Sequence, residues 1–437
     1  MKVSDYMTSF SELGLMEPIC HAVAAEGYQT ATPIQAQAIP VILAGQDVLG
    51  LAQTGTGKTA AFSLPILHRL ATHRKRHLPR KMRCLVLTPT RELAVQVGAS
   101  FGTYGVHLRL KRTVITGGVG FTPQIAALQN GCDIVVATPG RLLDLATRGY
   151  AQLDEVEVLV LDEADRMFDM GFFNDLKKII AMLPAHRLNL LFSATMPPAV
   201  AALAASTLKN HKRIEVTPAS STVERIDQKV LFVAKDKKRD LLVSLMEDHQ
   251  INRVIVFTRT KHGANRLAEQ LDKSGISAEA IHGNKSQGAR QRALSEFQSG
   301  KVRALVATDL AARGIDVEGV THVINYELPN EPESYVHRIG RTARAGAEGV
   351  AWSFCDMEEI AYLRAIEKVI RLQVPADDSH GFHCVQTAGQ RNSPHVKPPP
   401  RGNRGQNGGG KGGKGGSGGG NRPPGQRKTF SRPKRAA

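Results

Sequence analysis

Short apolar runs separated by longer amphipathic or alanine-rich stretches recur along the first half of the chain: Val48-Leu49, Cys84 to Thr88, Thr113 to Thr116, Ile134 to Ala137, Val158 to Asp162 and Leu188 to Ser193. Runs this short and this apolar predict strands, the longer stretches between them predict helices, and the alternation gives a mainly parallel sheet covered by helices. The rhythm resumes after Ile226 with Lys229 to Val233, Val254 to Thr258, Ala280-Ile281, Arg303 to Thr308, His322 to Asn325 and Gly349 to Phe354. Two α/β domains are therefore expected, over residues 1–216 and 226–375. The polar, proline-containing stretch 217–225, without periodicity, joins them as a linker. Ligands of such sheets sit at the carboxyl ends of the strands, which is where the motifs below fall.

Composition agrees with two domains and adds a third segment. The 437 residues, 42% hydrophobic and 22% charged, are enough for two folded cores. Five scattered cysteines without a C-x-x-C pair exclude a zinc ribbon and a disulfide framework, and point to a reducing compartment. The first residues are too polar for a signal peptide and no run approaches 18 apolar residues, so a cytoplasmic protein without a membrane partner is expected. The net charge of +17 is unevenly placed. Of 57 basic and 40 acidic residues, 12 basic and no acidic ones follow Gln390, leaving 45 against 40 before it. Residues 376–437 read as a disordered Gly/Lys/Arg-rich tail. It is either a solubilising extension or spaced cations that attract phosphate backbones through counterion release.

Ala52-Gln53-Thr54-Gly55-Thr56-Gly57-Lys58-Thr59 follows a strand and opens a helix, the setting of a phosphate-binding loop. Ala52 stands where such loops usually have glycine. The glycines let backbone N–H groups close around phosphate oxygens, Lys58 neutralises β/γ charge, and Thr59 offers a hydroxyl to Mg²⁺. A hundred residues on, a strand ends in Asp162-Glu163-Ala164-Asp165. Paired with the loop, Asp162 is placed to hold Mg²⁺ and Glu163 to orient and deprotonate an attacking water, so the reaction class is nucleoside triphosphate hydrolysis.

At these residues, and over Phe10 to Ile370, the chain resembles the DEAD-box family of ATP-dependent RNA helicases, which carry the tetrapeptide found at 162–165. The resemblance implies two tandem RecA-like domains. Gly27-Tyr28 and Thr32-Pro33-Ile34-Gln35 resemble the adenine-reading motif of the family, with Gln35 bidentate to adenine, Phe10 packing nearby, and ATP as the nucleotide. Ala31 replaces the family's usual proline. Ser193-Ala194-Thr195 resembles the motif that couples hydrolysis to strand separation, bridging Asp162 or Asp165. The same hydroxyls could equally cap the helix that starts near Pro197.

The family's RNA-backbone contacts are matched in the first domain by Pro89-Thr90-Arg91, Gly117-Gly118 and Thr138-Pro139-Gly140-Arg141. For Arg91 and Arg141 two readings stand, phosphate pairing or bracing of their own loops. In the second domain Arg259-Thr260, His282-Gly283, Gln287 with Arg290, and Thr308-Asp309 resemble RNA-binding motifs, and Asp316 the residue that meets the ATP ribose. His337, Arg341 and Arg344, spaced four and three apart on one helical face, resemble the arginine-finger motif, with Ala343 in place of its usual glycine. The resemblance implies RNA-stimulated ATP hydrolysis with Mg²⁺, coupled to local, non-processive unwinding of short RNA duplexes or RNP remodelling. A DNA translocase or an ATP-gated RNA clamp or scaffold are the alternatives. The basic tail resembles that of the bacterial RhlE-like subgroup, implying structured or ribosomal RNA and machinery of ribosome assembly or RNA degradation as partners.

Overall fold

A computed structural model describes residues 8–53, 55–216, 226–247, 251–312, 317, 319–342 and 349–393, and these fall within one compact unit. The expected linker 217–225 and residues 394–437 of the expected tail lie outside the described residues.

The first half forms seven parallel strands: β1 (Val48–Ala52), β2 (Met82–Leu87), β3 (Arg112–Ile115), β4 (Cys132–Ala137), β5 (Val158–Asp162), β6 (Leu188–Ser193) and β7 (Lys212–Val216). Their order is β3-β4-β2-β5-β6-β1-β7, every neighbouring pair parallel. β7 has no counterpart among the expected strands. Its sequence buries only Ile214, and it holds the sheet edge by pairing with β1 from Val48↔Lys212 to Ala52↔Val216. The central strands bury every residue. Cys84 and Val86 face one core while Leu85 and Leu87 face the other, so an unbroken apolar run serves both faces of the sheet.

The second half forms β8 (Ile226–Phe232), β9 (Val254–Phe257), β10 (Ala278–Ile281), β11 (Ala304–Ala307), β12 (His322–Asn325) and β13 (Gly349–Cys355), in the order β10-β11-β9-β12-β13-β8 and again all parallel. Each expected strand of both halves is present at its place.

The expected boundary at 376 is corrected by the structure. Residues 376–393 run along β8 and end in a short helix, Val385–Gly389. Asp377 N–H donates to the Val230 carbonyl at 2.9 Å and Cys384 N–H to that of Phe232 at 2.9 Å. Arg391, 9% exposed, pairs with Glu367 and donates to the Val374 carbonyl, while Arg364 donates to the carbonyls of Arg391 and Ser393, each at 2.6 Å. Arg391, which read as solvated tail, thus fastens this segment together with Arg364 of the second domain.

Candidate active site

The phosphate loop connects β1 to helix Lys58–Thr72, with Gly55 and Gly57 in the left-handed region at φ 87° and 90°. A side chain at Gly57 would collide with the amide of Gln35, so glycine is required there twice over. Lys58 is 7% exposed, and its Nζ donates to the Ala52 carbonyl at 2.5 Å. Thr32 begins helix Pro33–Leu43 with a capping box: its N–H donates to Gln35 Oε1 at 2.9 Å. Gln35 Nε2 donates to the Gly57 carbonyl at 3.1 Å and Thr32 Oγ1 to that of Thr56 at 2.8 Å. Gln35 therefore ties the motif expected to read adenine directly to the phosphate loop, with a lone pair and an N–H of its amide still to offer. Phe10 is 5% exposed within the core of the first domain. Thr54 lies outside the described residues.

At the end of β5, Asp162 is 2% exposed, and its Oδ1 is buried with no hydrogen-bond partner. Burial, then the adjacent Glu163 carboxylate, push its carboxyl up to about 7 against the pull of Lys58. A buried, unsatisfied carboxylate oxygen beside the phosphate loop is what a hard cation with oxygen ligands would satisfy, so the residues fit Mg²⁺. Glu163, 7% exposed, takes φ 55° and ψ 54° and pairs with Arg166, 4% exposed, which sequence reasoning did not single out.

The coupling residues are brought together. Thr195 donates its N–H at 2.9 Å and its hydroxyl at 2.8 Å to Asp165 Oδ2; Ser193 Oγ accepts from Asp165 N–H at 3.2 Å and donates to the Thr195 carbonyl at 2.7 Å. Burial raises the Asp165 carboxyl, but these hydrogen bonds outweigh it and hold the group below its ordinary value. Helix Pro198–Thr207 has Pro197 at its cap and no side-chain cap, so of the two readings Ser193 and Thr195 take the one that binds Asp165.

The expected RNA-facing residues divide. Thr90 and Thr260 cap helices Arg91–Tyr104 and Lys261–Lys273, accepting from Leu93 N–H at 3.3 Å and Gly263 N–H at 3.0 Å. Thr138 begins helix Pro139–Thr147 without a side-chain cap, Pro89 and Thr308 are buried, and Gly140 is half-buried. Arg91 and Arg141 both contact their own loops. Arg91 lies against Gly117-Gly118, where a Cβ on Gly118 would collide with its guanidinium, and Arg141 donates to the Val119 carbonyl at 2.8 Å over the Phe121 ring. Gln287 and Arg290 reach the first domain: Arg91 donates to Gln287 at 3.4 Å and Arg290 pairs with Glu92 at 2.9 Å. Arg259 is held by Glu327 and Glu359, at 3.8 and 3.3 Å. His282, held low by burial, contacts Asn265 at 2.9 Å beside the exposed Gly283.

Asp309, expected at RNA, meets Arg338 in a bidentate pair at 2.5 and 2.8 Å. Arg338 is 1% exposed and would otherwise be an uncompensated buried charge, which is the physical reason Asp309 is drawn inward. His337 and Arg341 face a cavity of about 160 Å³ lined also by Gln53, Ala194 and Thr195 of the first domain. Asp316 and Arg344 lie outside the described residues.

Residues 32–203 match the family model described as DEAD/DEAH box helicase, and 237–346 that described as Helicase conserved C-terminal domain. The DEAD-box ATP-dependent RNA helicase CshA of Bacillus cereus is 43% identical over 373 residues, covering 85% of this chain and 70% of that protein. Its namesake from Geobacillus kaustophilus is 44% identical over 365 residues, covering 84% and 77%. Among solved structures, S. cerevisiae Dbp5 bound to RNA and ADP BeF3 matches with TM-score 0.75 at 32% identity, over 84% of this chain and 94% of that one. Mss116p bound to ssRNA and AMP-PNP matches with TM-score 0.76 at 28% identity, over 85% and 80%. With both halves matched and the phosphate loop, carboxylates and Thr195 turn gathered at one place, the chain belongs to the DEAD-box family of ATP-dependent RNA helicases.

Proposed function

We propose that this chain hydrolyses ATP with Mg²⁺ when RNA draws its two domains together, and that closure opens short RNA duplexes locally or remodels RNPs. The observation that carries this reading is the cavity shared by Gln53 and Thr195 of the first domain and His337 and Arg341 of the second. Cations on the second domain stabilise charge developing on the γ-phosphoryl group only when the domains meet, so hydrolysis depends on closure.

Asp162 and Thr59 would hold Mg²⁺, which neutralises phosphate charge. Lys58 leaves the Ala52 carbonyl for phosphate oxygens, and Gln35 reads adenine with the lone pair and N–H that its present bonds leave over. Glu163 takes a proton from water as the water oxygen bonds to the γ-phosphorus; the β–γ bridging oxygen leaves with the bonding pair as ADP. Asp165, tied to Thr195, carries the change at this strand end to the turn after β6. ATP and RNA both favour the closed state, so each strengthens the other's binding.

RNA-stimulated ATPase activity measured beside Glu163→Gln tests the reading. The variant is expected to lose about 100- to 10,000-fold in turnover, and wild-type turnover in it would sink the assignment. Stimulation by RNA and not by DNA is expected, which separates a helicase from a DNA translocase; retained RNA binding without turnover in the wild type would indicate a clamp or scaffold. Residues 394–437 are proposed as an electrostatic tether for structured or ribosomal RNA. Equal RNA affinity and salt slope in a chain ending at Ser393 would reject that role. The relatives above bear the CshA name, and an RhlE-like role in ribosome assembly or RNA degradation, in the cytoplasm, is proposed from the tail. Among the described residues no helix is long and apolar enough to cross a membrane.

A further inference from the structure

Four non-glycine residues among those described have positive φ: Arg80, Glu163, Asn210 and Arg371. Three are exposed, where a left-handed residue is an ordinary turn; Glu163 is 7% exposed. Strain of about 1–3 kcal/mol persists in an interior only where the surroundings hold it. The described group that holds the Glu163 side chain is Arg166, whose Nη1 donates to Oε2, both side chains being buried at 5% and 9% exposure.

Arg166 is poorly explained by its own helix. Ala164–Asp169 is only six residues long with Arg166 in its last turn, and a dipole of that length gives no reason to bury a guanidinium. Nor is it a surface ion pair of negligible worth, because both partners are out of water. What it does have is three carboxylates within four residues, Asp162, Glu163 and Asp165: its backbone N–H donates to Asp165 Oδ1 at 3.0 Å, and its guanidinium meets the one assigned as base. With Oε2 taken by the guanidinium, the carboxylate is fixed in one rotamer and Oε1 is left to accept the proton of water.

We infer that Arg166 is a positioning residue for ATP hydrolysis, clamping the Glu163 carboxylate so that a single oxygen is presented to the attacking water. The inference rests on Glu163 being the base. Arg166 acts through Glu163, the carboxylate its guanidinium meets, and its planar fork matters more than its charge, since lysine holds a carboxylate as a point charge without fixing its plane.

The test is RNA-stimulated ATPase kinetics of the full chain for Arg166→Met, Arg166→Lys, Glu163→Gln and the double variant Glu163→Gln/Arg166→Met. Affinity for a fluorescent ATP analogue and melting temperature are read for each. Arg166→Met is expected to lower kcat about tenfold or more, a part of the about 100- to 10,000-fold a placed base supplies, with KM and analogue affinity unchanged. Arg166→Lys should recover part of the loss. On the Glu163→Gln background Arg166→Met should cost nothing further, because residues acting as one unit are non-additive. A full additional loss on that background, or a KM that rises as kcat holds, would overturn the inference and leave Glu163 as base. Wild-type turnover in Glu163→Gln would instead remove the base assignment itself. If Arg166→Met melts below the assay temperature, Arg166→Lys decides alone: wild-type kcat in it overturns the inference.

Discussion

Asp309→Ala separates two roles for one carboxylate, RNA contact or partner of a buried cation. Arg338 is 1% exposed, and Asp309 supplies both oxygens of its bidentate pair, at 2.5 and 2.8 Å. Deleting one member of a buried ion pair costs about 3–5 kcal/mol. Two features lower that figure here. The Asp309 side chain is 29% exposed, so water can reach the space it leaves, and Arg338 keeps bonds to Asn325 Oδ1 at 3.1 Å and the Glu327 carbonyl at 2.6 Å. A loss of about 2–3 kcal/mol follows. For a domain of this size that lowers the melting transition by roughly 4–12 °C. Calorimetry of the full chain should show the drop, with RNA affinity measured well below the transition little changed. Replacing both partners, as Asp309→Ala with Arg338→Met, should restore part of the stability, because the uncompensated charge is then gone. An unmoved transition together with a several-fold loss of RNA affinity would refute this reasoning and return Asp309 to the RNA surface.

Three further outcomes are expected. Thr195→Ala removes the 2.8 Å hydroxyl bond to Asp165 and leaves the backbone one at 2.9 Å, so duplex unwinding should fall more than RNA-stimulated ATP hydrolysis; equal loss of both would count against coupling through this contact. A chain ending at Pro375 should melt lower than one ending at Ser393, which should match the full chain; indistinguishable melting of the two shortened chains would contradict a fastened segment. Asp377 is held down at about 2 by the hydroxyl and N–H of Ser379 and then by Lys229, so its contribution to stability is full above its ordinary 3.8 and is lost as pH falls toward about 2. Hydrogen exchange in residues 376–393 should accelerate across that window in the wild type and less steeply in Asp377→Asn, and parallel profiles would rule this carboxylate out.

Strand runs were legible because a parallel sheet covered on both sides leaves its strands apolar throughout, and nothing else writes five or six such residues between helices. β7 escaped because an edge strand with one buried residue, Ile214, carries no such run. The nucleotide loop and the carboxylates at 162–165 were legible for a related reason: glycine, lysine and acid at fixed spacing leave few alternatives. Arginines were not. Arg91, Arg141 and Arg259 sit at motif positions, yet which anion or carbonyl each meets depends on residues such as Glu359, a hundred positions from Arg259 and itself 0% exposed. Arg338 stands inside the motif of His337 and Arg341 but was given no role there, and Arg166 was not singled out, although its place three residues after Glu163, at the start of a helix, was a signal that could have been followed. The tail was misplaced at its start because Arg391 looks solvated until Glu367, 24 residues earlier, is seen beside it.

The cover over β8 also has a direction in time. β8 is the first strand of its sheet to leave the ribosome, and the segment that covers it comes roughly 150 positions later, Asp377 after Val230 and Cys384 after Phe232. At about 5–20 residues per second the strand spends on the order of ten seconds with an open ladder. During that interval its unpaired backbone can recruit another nascent chain as readily as its own segment. Slowing translation between Phe232 and Ala376 would lengthen the hazard, and the yield of soluble protein would be the first quantity to register it.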